Sequence, residues 1–183
     1  MGTSISNTSL GYGWLAIVLH WLTALGVFFL FGLGLYMVEL TYYDAWYKGS
    51  LDLHKSIGIV LLMLWLGRIA WRLRSVSPNA IGELWEKKLA GWMHLALYVT
   101  PLLLMLSGYL ISTADGRAIV VFELFSVPAL PISVDNQEDI AGQVHWVLAW
   151  FLIGMASLHA LAALKHQYVN EDGTLARMLN PKS

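Results

Sequence analysis

The chain has 183 residues, 57% hydrophobic and 13% charged, with a mean hydropathy of +0.60. A water-soluble domain of this size needs a more polar surface, so the composition selects a membrane protein. The net charge of −1 argues against a nucleic-acid partner, and the absence of cysteine excludes disulfides, iron–sulfur ligation and thioether-linked haem.

Met1 to Gly13 carry no Lys or Arg, and the apolar run that follows exceeds signal-peptide length. It ends at Glu39 without a small-residue cleavage site, so it reads as a retained span. A span needs about 20 mostly apolar residues. Four stretches qualify: Trp14–Val38, Leu53–Leu73, Lys88–Ser112 and Ala141–Lys165. Continuous apolar runs of this length are helices, because lipid offers the backbone no hydrogen-bond partner. The predicted architecture is all-α, a four-helix transmembrane bundle in a single domain over residues 1–183. Trp14, Tyr42, Tyr43, Trp46, Trp71, Trp85 and Trp146 lie near span ends, as an aromatic belt requires.

The second connection is basic, with Arg72, Arg74, Lys87 and Lys88 and with Arg68 just before it. The tail adds Lys165, Arg177 and Lys182. The first and third connections hold Lys48, Lys55 and Arg117 against Glu39, Asp44, Asp52, Asp115, Glu123, Asp135, Glu138 and Asp139. The positive-inside bias puts both termini and the second connection in the cytoplasm. Pro101 is expected to kink span three. The long third connection, residues 113–140, has an apolar centre from Ala118 to Leu130, for which an interfacial helix is expected.

Five of the six histidines fall inside spans: His20, His54, His94, His145 and His159, with His166 at the end of span four. Ionisable groups inside spans are functional candidates by default. His145 and His159 are fourteen residues apart, which puts them nearly on one helix face and about 21 Å apart in depth. His54 matches His145 in depth near the outer ends of spans two and four. His20 matches His159 near the inner ends of spans one and four. Two such pairs on facing helices are what two bis-histidine haems need. Gly26, Gly32, Gly34, Gly58 and Gly108 are small enough to admit a macrocycle. Arg68 and Arg72 are candidates for the haem propionates, and His94 and His166 for quinone or proton chemistry. A haem-free proton relay is the rival, but no span interior carries the Asp or Glu that relays use. Zinc would need a third ligand, which His94 alone could supply.

The segments "VLHWLTALGV" at His20, "LDLHKSIGIVLL" at His54, "HLALY" at His94, "QVHWVLAW" at His145 and "SLHALAALKHQY" from His159 to His166 resemble the bacterial cytochrome b561 family. "LTYYDAWYKGS" and "GYLISTADG" resemble one subfamily, often found with a periplasmic isoprenoid-binding partner. The resemblance implies two b haems, the inner on His20 and His159 and the outer on His54 and His145. It also implies electron exchange between ubiquinone and a periplasmic-side donor. One version is superoxide oxidation, with Lys55, or more weakly Arg117, attracting the anion. Another is an electron-carrying subunit docked to a redox or isoprenoid-binding partner.

Overall fold

The computed structural model describes residues 5–131 and 134–181, so Lys182 lies outside the described residues. Four long helices form a four-helix transmembrane bundle: α1 (Trp14–Val38), α2 (Tyr47–Arg74), α3 (Leu84–Ser112) and α4 (Gln137–Tyr168). The first expected span coincides with α1. The other three helices begin four to six residues earlier than hydropathy indicated, because their first turns are polar. The first turn of α3 shows why such a turn is still helical. Glu86 Oε2 accepts the backbone N–H of Glu83 at 3.0 Å, closing half a capping box.

Large apolar side chains such as Leu25, Phe29, Leu66, Leu103, Val147 and Leu161 are exposed along the helices, a surface suited to hydrocarbon and not to water. Several small hydroxyls bond to carbonyls of their own helix: Thr23 to Leu19 and His20, Ser107 to Leu104, and Thr113 to Tyr109. This lets them be buried without an orphaned donor.

The chain divides into two compact units. One comprises residues 1–23, 64–99 and 152–183, with Ile17, Trp65 and Leu152 in its core. In it the N-terminal segment, the α2–α3 connection and the tail are stitched together. Asn7 donates to Val76 O, Asn79 N–H to Ser9 O, Arg177 to Asn79 O and Trp21 Nε1 to Met178 O. Both ends of the described chain therefore share one end of this unit with the second connection. Gly13 is obligatory here, since a Cβ would sit 2.3 Å from Ile5 O.

The other unit comprises residues 24–63 and 100–151. Its core holds Leu61, Ile119, Val121 and Ala141. The expected interfacial helix is absent. Ile119–Val121 (β1) and Phe125–Val127 (β2) instead pair as an antiparallel hairpin. The β-branched run Ile119–Val121 alternates in burial along β1, and Pro128 ends β2. Ile119 and Val121 face inward while Val120 is exposed. The Phe122 N–H donates to Ser56 Oγ at 3.1 Å, and the Tyr109 hydroxyl donates to Pro128 O while accepting from Leu130 N–H.

The hairpin turn closes with Leu124 N–H on Val121 O, and its central residues Phe122 and Glu123 both have positive φ, 47° and 59°. A primed turn of this kind favours Asn-Gly, and other residues pay about 1 kcal/mol each for the left-handed backbone. The double substitution Phe122→Asn, Glu123→Gly should therefore raise apparent thermal stability in detergent. A lower melting temperature would mean that the two side chains contribute more than the turn costs.

Candidate functional site

The five histidines within the spans form two clusters, one in each unit. In the unit holding the termini, His20 of α1 and His159 of α4 face each other with ring centroids 6.4 Å apart. His94 of α3 is also beside His159, at 5.4 Å. In the hairpin unit, His54 of α2 and His145 of α4 have ring centroids 6.3 Å apart. The depth matching in the sequence thus pairs the residues that are adjacent in space.

These separations can be compared with the span of a metal held between two imidazoles. A metal–nitrogen bond of about 2 Å on each side, plus about 1 Å from nitrogen to ring centre, gives about 6 Å in all. Both facing pairs meet this value, whereas His94 and His159 fall short of it. No group of three or more ligand-type side chains suited to a metal ion occurs among the described residues. The arrangement therefore favours paired axial ligation over a zinc site.

The hydrogen bonds decide which ring nitrogen is available. His145 Nδ1 lies 3.0 Å from Leu104 O and 3.1 Å from Ser107 Oγ. The Leu104 carbonyl can only accept, so the proton is on Nδ1 and Nε2 keeps its lone pair. His54 Nδ1 is buried without a hydrogen-bond partner. Any polar compensation for that ring must come at Nε2. Two glycines seat these rings. A Cβ on Gly34 would stand 3.4 Å from His54 Cε1, and one on Gly108 would stand 3.0 Å from His145 Cε1. Of the other glycines expected to admit a macrocycle, Gly26 accommodates the Leu61 side chain, while Gly32 and Gly58 meet nothing within 4 Å.

In the first cluster Arg68 Nη2 donates to His20 Nδ1 at 2.8 Å, and Nη1 donates to the Thr23 hydroxyl at 2.8 Å. The guanidinium lies 5.2 Å from the Trp65 ring centre and 5.4 Å from that of Tyr98, while Arg72 lies 5.1 Å from Tyr98. Among the described residues no carboxylate forms an ion pair with either arginine. Two guanidiniums around one aromatic ring, without a counter-ion, suit an anionic ligand. A metal on His20 Nε2 would put the ring proton on Nδ1, and Arg68 would then have to release that nitrogen.

Lys55 follows His54 on α2 but is drawn towards Asp52 at 3.9 Å, and Arg117 is ion-paired with Asp115. His166 lies near the end of α4, with Nδ1 2.6 Å from Asp172 Oδ2. The sequence reading missed Thr23, Ser107, Trp65, Tyr98 and Asp172 as partners of these groups. Thr23 follows His20 by three residues, a same-face spacing that could have flagged it. Trp65 precedes Arg68 on α2 by the same spacing, whereas Ser107 and Tyr98 lie on another helix and Asp172 in the tail.

The family model for prokaryotic cytochrome b561 matches residues 11–181. The chain is 43% identical over 182 residues to cytochrome b561 homolog 2 of Escherichia coli K12, an alignment covering 98% of this chain and 97% of that protein. It is 33% identical to the probable superoxide oxidase CybB of Yersinia pestis, covering 93% and 97% respectively. With cytochrome b561 homolog 1 of Escherichia coli K12 it shares 30% identity over 89% of this chain and 93% of the relative. Matched by that family's model over residues 11–181, the chain belongs to the prokaryotic cytochrome b561 family.

Proposed function

We propose that the chain binds two b haems, one on His20 and His159 and the other on His54 and His145, and passes single electrons between a periplasmic-side donor and ubiquinone. Membership of the family implies b-type haem binding in a multi-pass inner-membrane protein. The observation that carries the two-haem reading is the pair of facing imidazole couples, at 6.4 and 6.3 Å, each spaced for one metal. Haem iron supplies a one-electron carrier at each position. The protein's part is orientation and charge. Leu104 O and Ser107 fix the His145 ring, and Gly34 and Gly108 let the rings lie against helix backbone. Arg68 and Arg72 would supply cations to the propionates. With the termini and the basic connection in the cytoplasm, His94 and His166 would lie at the quinone end.

The donor has two versions. A relative named as a probable superoxide oxidase supports superoxide. An anion is steered by unpaired positive charge, yet Lys55 and Arg117 each have a carboxylate neighbour in acidic surroundings. The second reading is an electron-carrying subunit docked to a periplasmic redox or isoprenoid-binding protein. It is favoured by the exposed aromatic run Tyr42, Tyr43 and Trp46, of which Tyr43 is 99% exposed.

A reduced-minus-oxidised spectrum of purified protein should show two low-spin b haems per chain. His54→Ala should remove one and His94→Ala neither; loss of a haem in His94→Ala would make His94 a ligand and overturn the assignment of His20 or His159. Gly108→Val places methyl groups against the His145 ring and should deplete the same haem as His54→Ala. Gly32→Val, at an open position, should leave both; equal damage from the two valines would reject the seating role. In stopped flow, superoxide should reduce the haems of the isolated chain when quinone is present. A chain inert until a partner is added would favour the subunit reading. If Lys55 receives the anion, Asp52→Asn should raise the superoxide rate constant about twofold or more at low salt and lose this gain at high salt. No change would exclude Lys55 from the anion's path.

A further inference from the structure

The His166–Asp172 pair stands apart from the four facing histidines. Asp172 is held on both oxygens. Oδ2 meets His166 Nδ1 at 2.6 Å, and Oδ1 accepts the Thr174 N–H at 3.0 Å and its hydroxyl at 2.6 Å. The backbone closes the same loop, with Asp172 N–H donating to His166 O at 3.2 Å. The two side chains are only 18% and 14% exposed. Burial pushes the Asp172 carboxyl up, but the bonds from Thr174 and His166 outweigh it and hold the group below the ordinary carboxylate range. It is therefore ionised at neutral pH and can only accept. The proton between the two lies on His166 Nδ1, which leaves Nε2 as the exchanging nitrogen.

Among the described residues, the other charged groups placed near the ring are Glu86 of α3 and Lys165 of α4 itself. Lys165 Nζ is paired with Glu86 Oε1 at 2.9 Å. Gly82, with φ +101°, flanks the ring, and a Cβ there would stand 3.5 Å from His166 Cε1. The carboxylate at Nδ1 thus belongs to Asp172, with the Asn170 amide nitrogen 3.4 Å from the same ring nitrogen.

We propose that Asp172 is a positioning residue that fixes the tautomer of His166, so that Nε2 exchanges a proton with a quinone oxygen. The proposal rests on the quinone reading above. Quinone takes two electrons, from two turnovers of the one-electron donor, and two protons from water, to give quinol. For the proton that His166 handles, Nε2 first takes a proton from water; the Nε2–H bond then breaks as the quinone O–H bond forms, which returns the ring to the tautomer whose Nδ1–H is hydrogen-bonded to Asp172.

The test uses the full-length haem-loaded protein and its Asp172→Asn, Asp172→Glu, Thr174→Val and His166→Gln variants. In Asp172→Asn both haem bands should remain, while kcat for quinone reduction falls about tenfold or more with little change in KM. Nitrogen-15 NMR of the histidines should show His166 passing from one Nδ1–H tautomer to a mixture. Asp172→Glu should restore part of the rate. Thr174→Val removes the hydroxyl bond to Asp172 and keeps the carboxylate and the backbone bond, so it should lose far less. A normal kcat and tautomer in Asp172→Asn would overturn the proposal, as would an equal loss in Thr174→Val. Unchanged turnover in His166→Gln would instead reject the quinone site itself, whereas a slow His166→Gln beside a normal Asp172→Asn would reject only the role of Asp172.

Discussion

A neutral imidazole carries one donor and one acceptor, and hydrocarbon can satisfy neither. Five histidines within the spans therefore have to find partners on other helices, and much of the interior is organised by that requirement. Helix backbone is almost fully committed to its own hydrogen bonds, so few acceptors are left to offer. Leu104 O is one that is shared, taking both the Ser107 hydroxyl and His145 Nδ1. His54 has no such acceptor at Nδ1. Its burial makes physical sense if Nε2 is compensated by a metal, as membership of a cytochrome b family leads one to expect.

The same argument extends to charge. A guanidinium in a membrane bundle needs a counter-ion or a polarisable surface. Arg68 finds the faces of Trp65 and Tyr98, the Thr23 hydroxyl and the His20 ring, but no carboxylate among the described residues. Spare positive charge there contrasts with the other unit, where Lys55 and Arg117 have acidic neighbours. An anionic cofactor group suits the first environment better than a diffusing anion suits the second.

The tail places chemistry where hydropathy reads only a helix end. Residues 170–174 turn back so that Asp172 reaches His166, and the tail continues to Trp21 and to the α2–α3 connection. A carboxylate that would be costly inside a span is thereby supplied from outside it.

Hydropathy and charge determined the number, order and approximate limits of the four helices, because lipid leaves an apolar run of that length one backbone solution. Helical periodicity determined which histidines lie at matching depth, since rise and rotation per residue are fixed by backbone geometry. Both clusters, His20 with His159 and His54 with His145, were legible for that reason. Tertiary structure alone decided the rest. A hairpin replaced the expected helix over residues 119–127 because burial of alternate β-branched side chains, and the bond from Phe122 to Ser56, depend on neighbours remote in sequence. The choice of Gly34 and Gly108 as ring seats, and of Leu104, Ser107 and Asp172 as partners, was likewise invisible. Which backbone a ring touches, and which carbonyl can take its proton, is set by how separate helices approach one another, and no spacing along one helix records that.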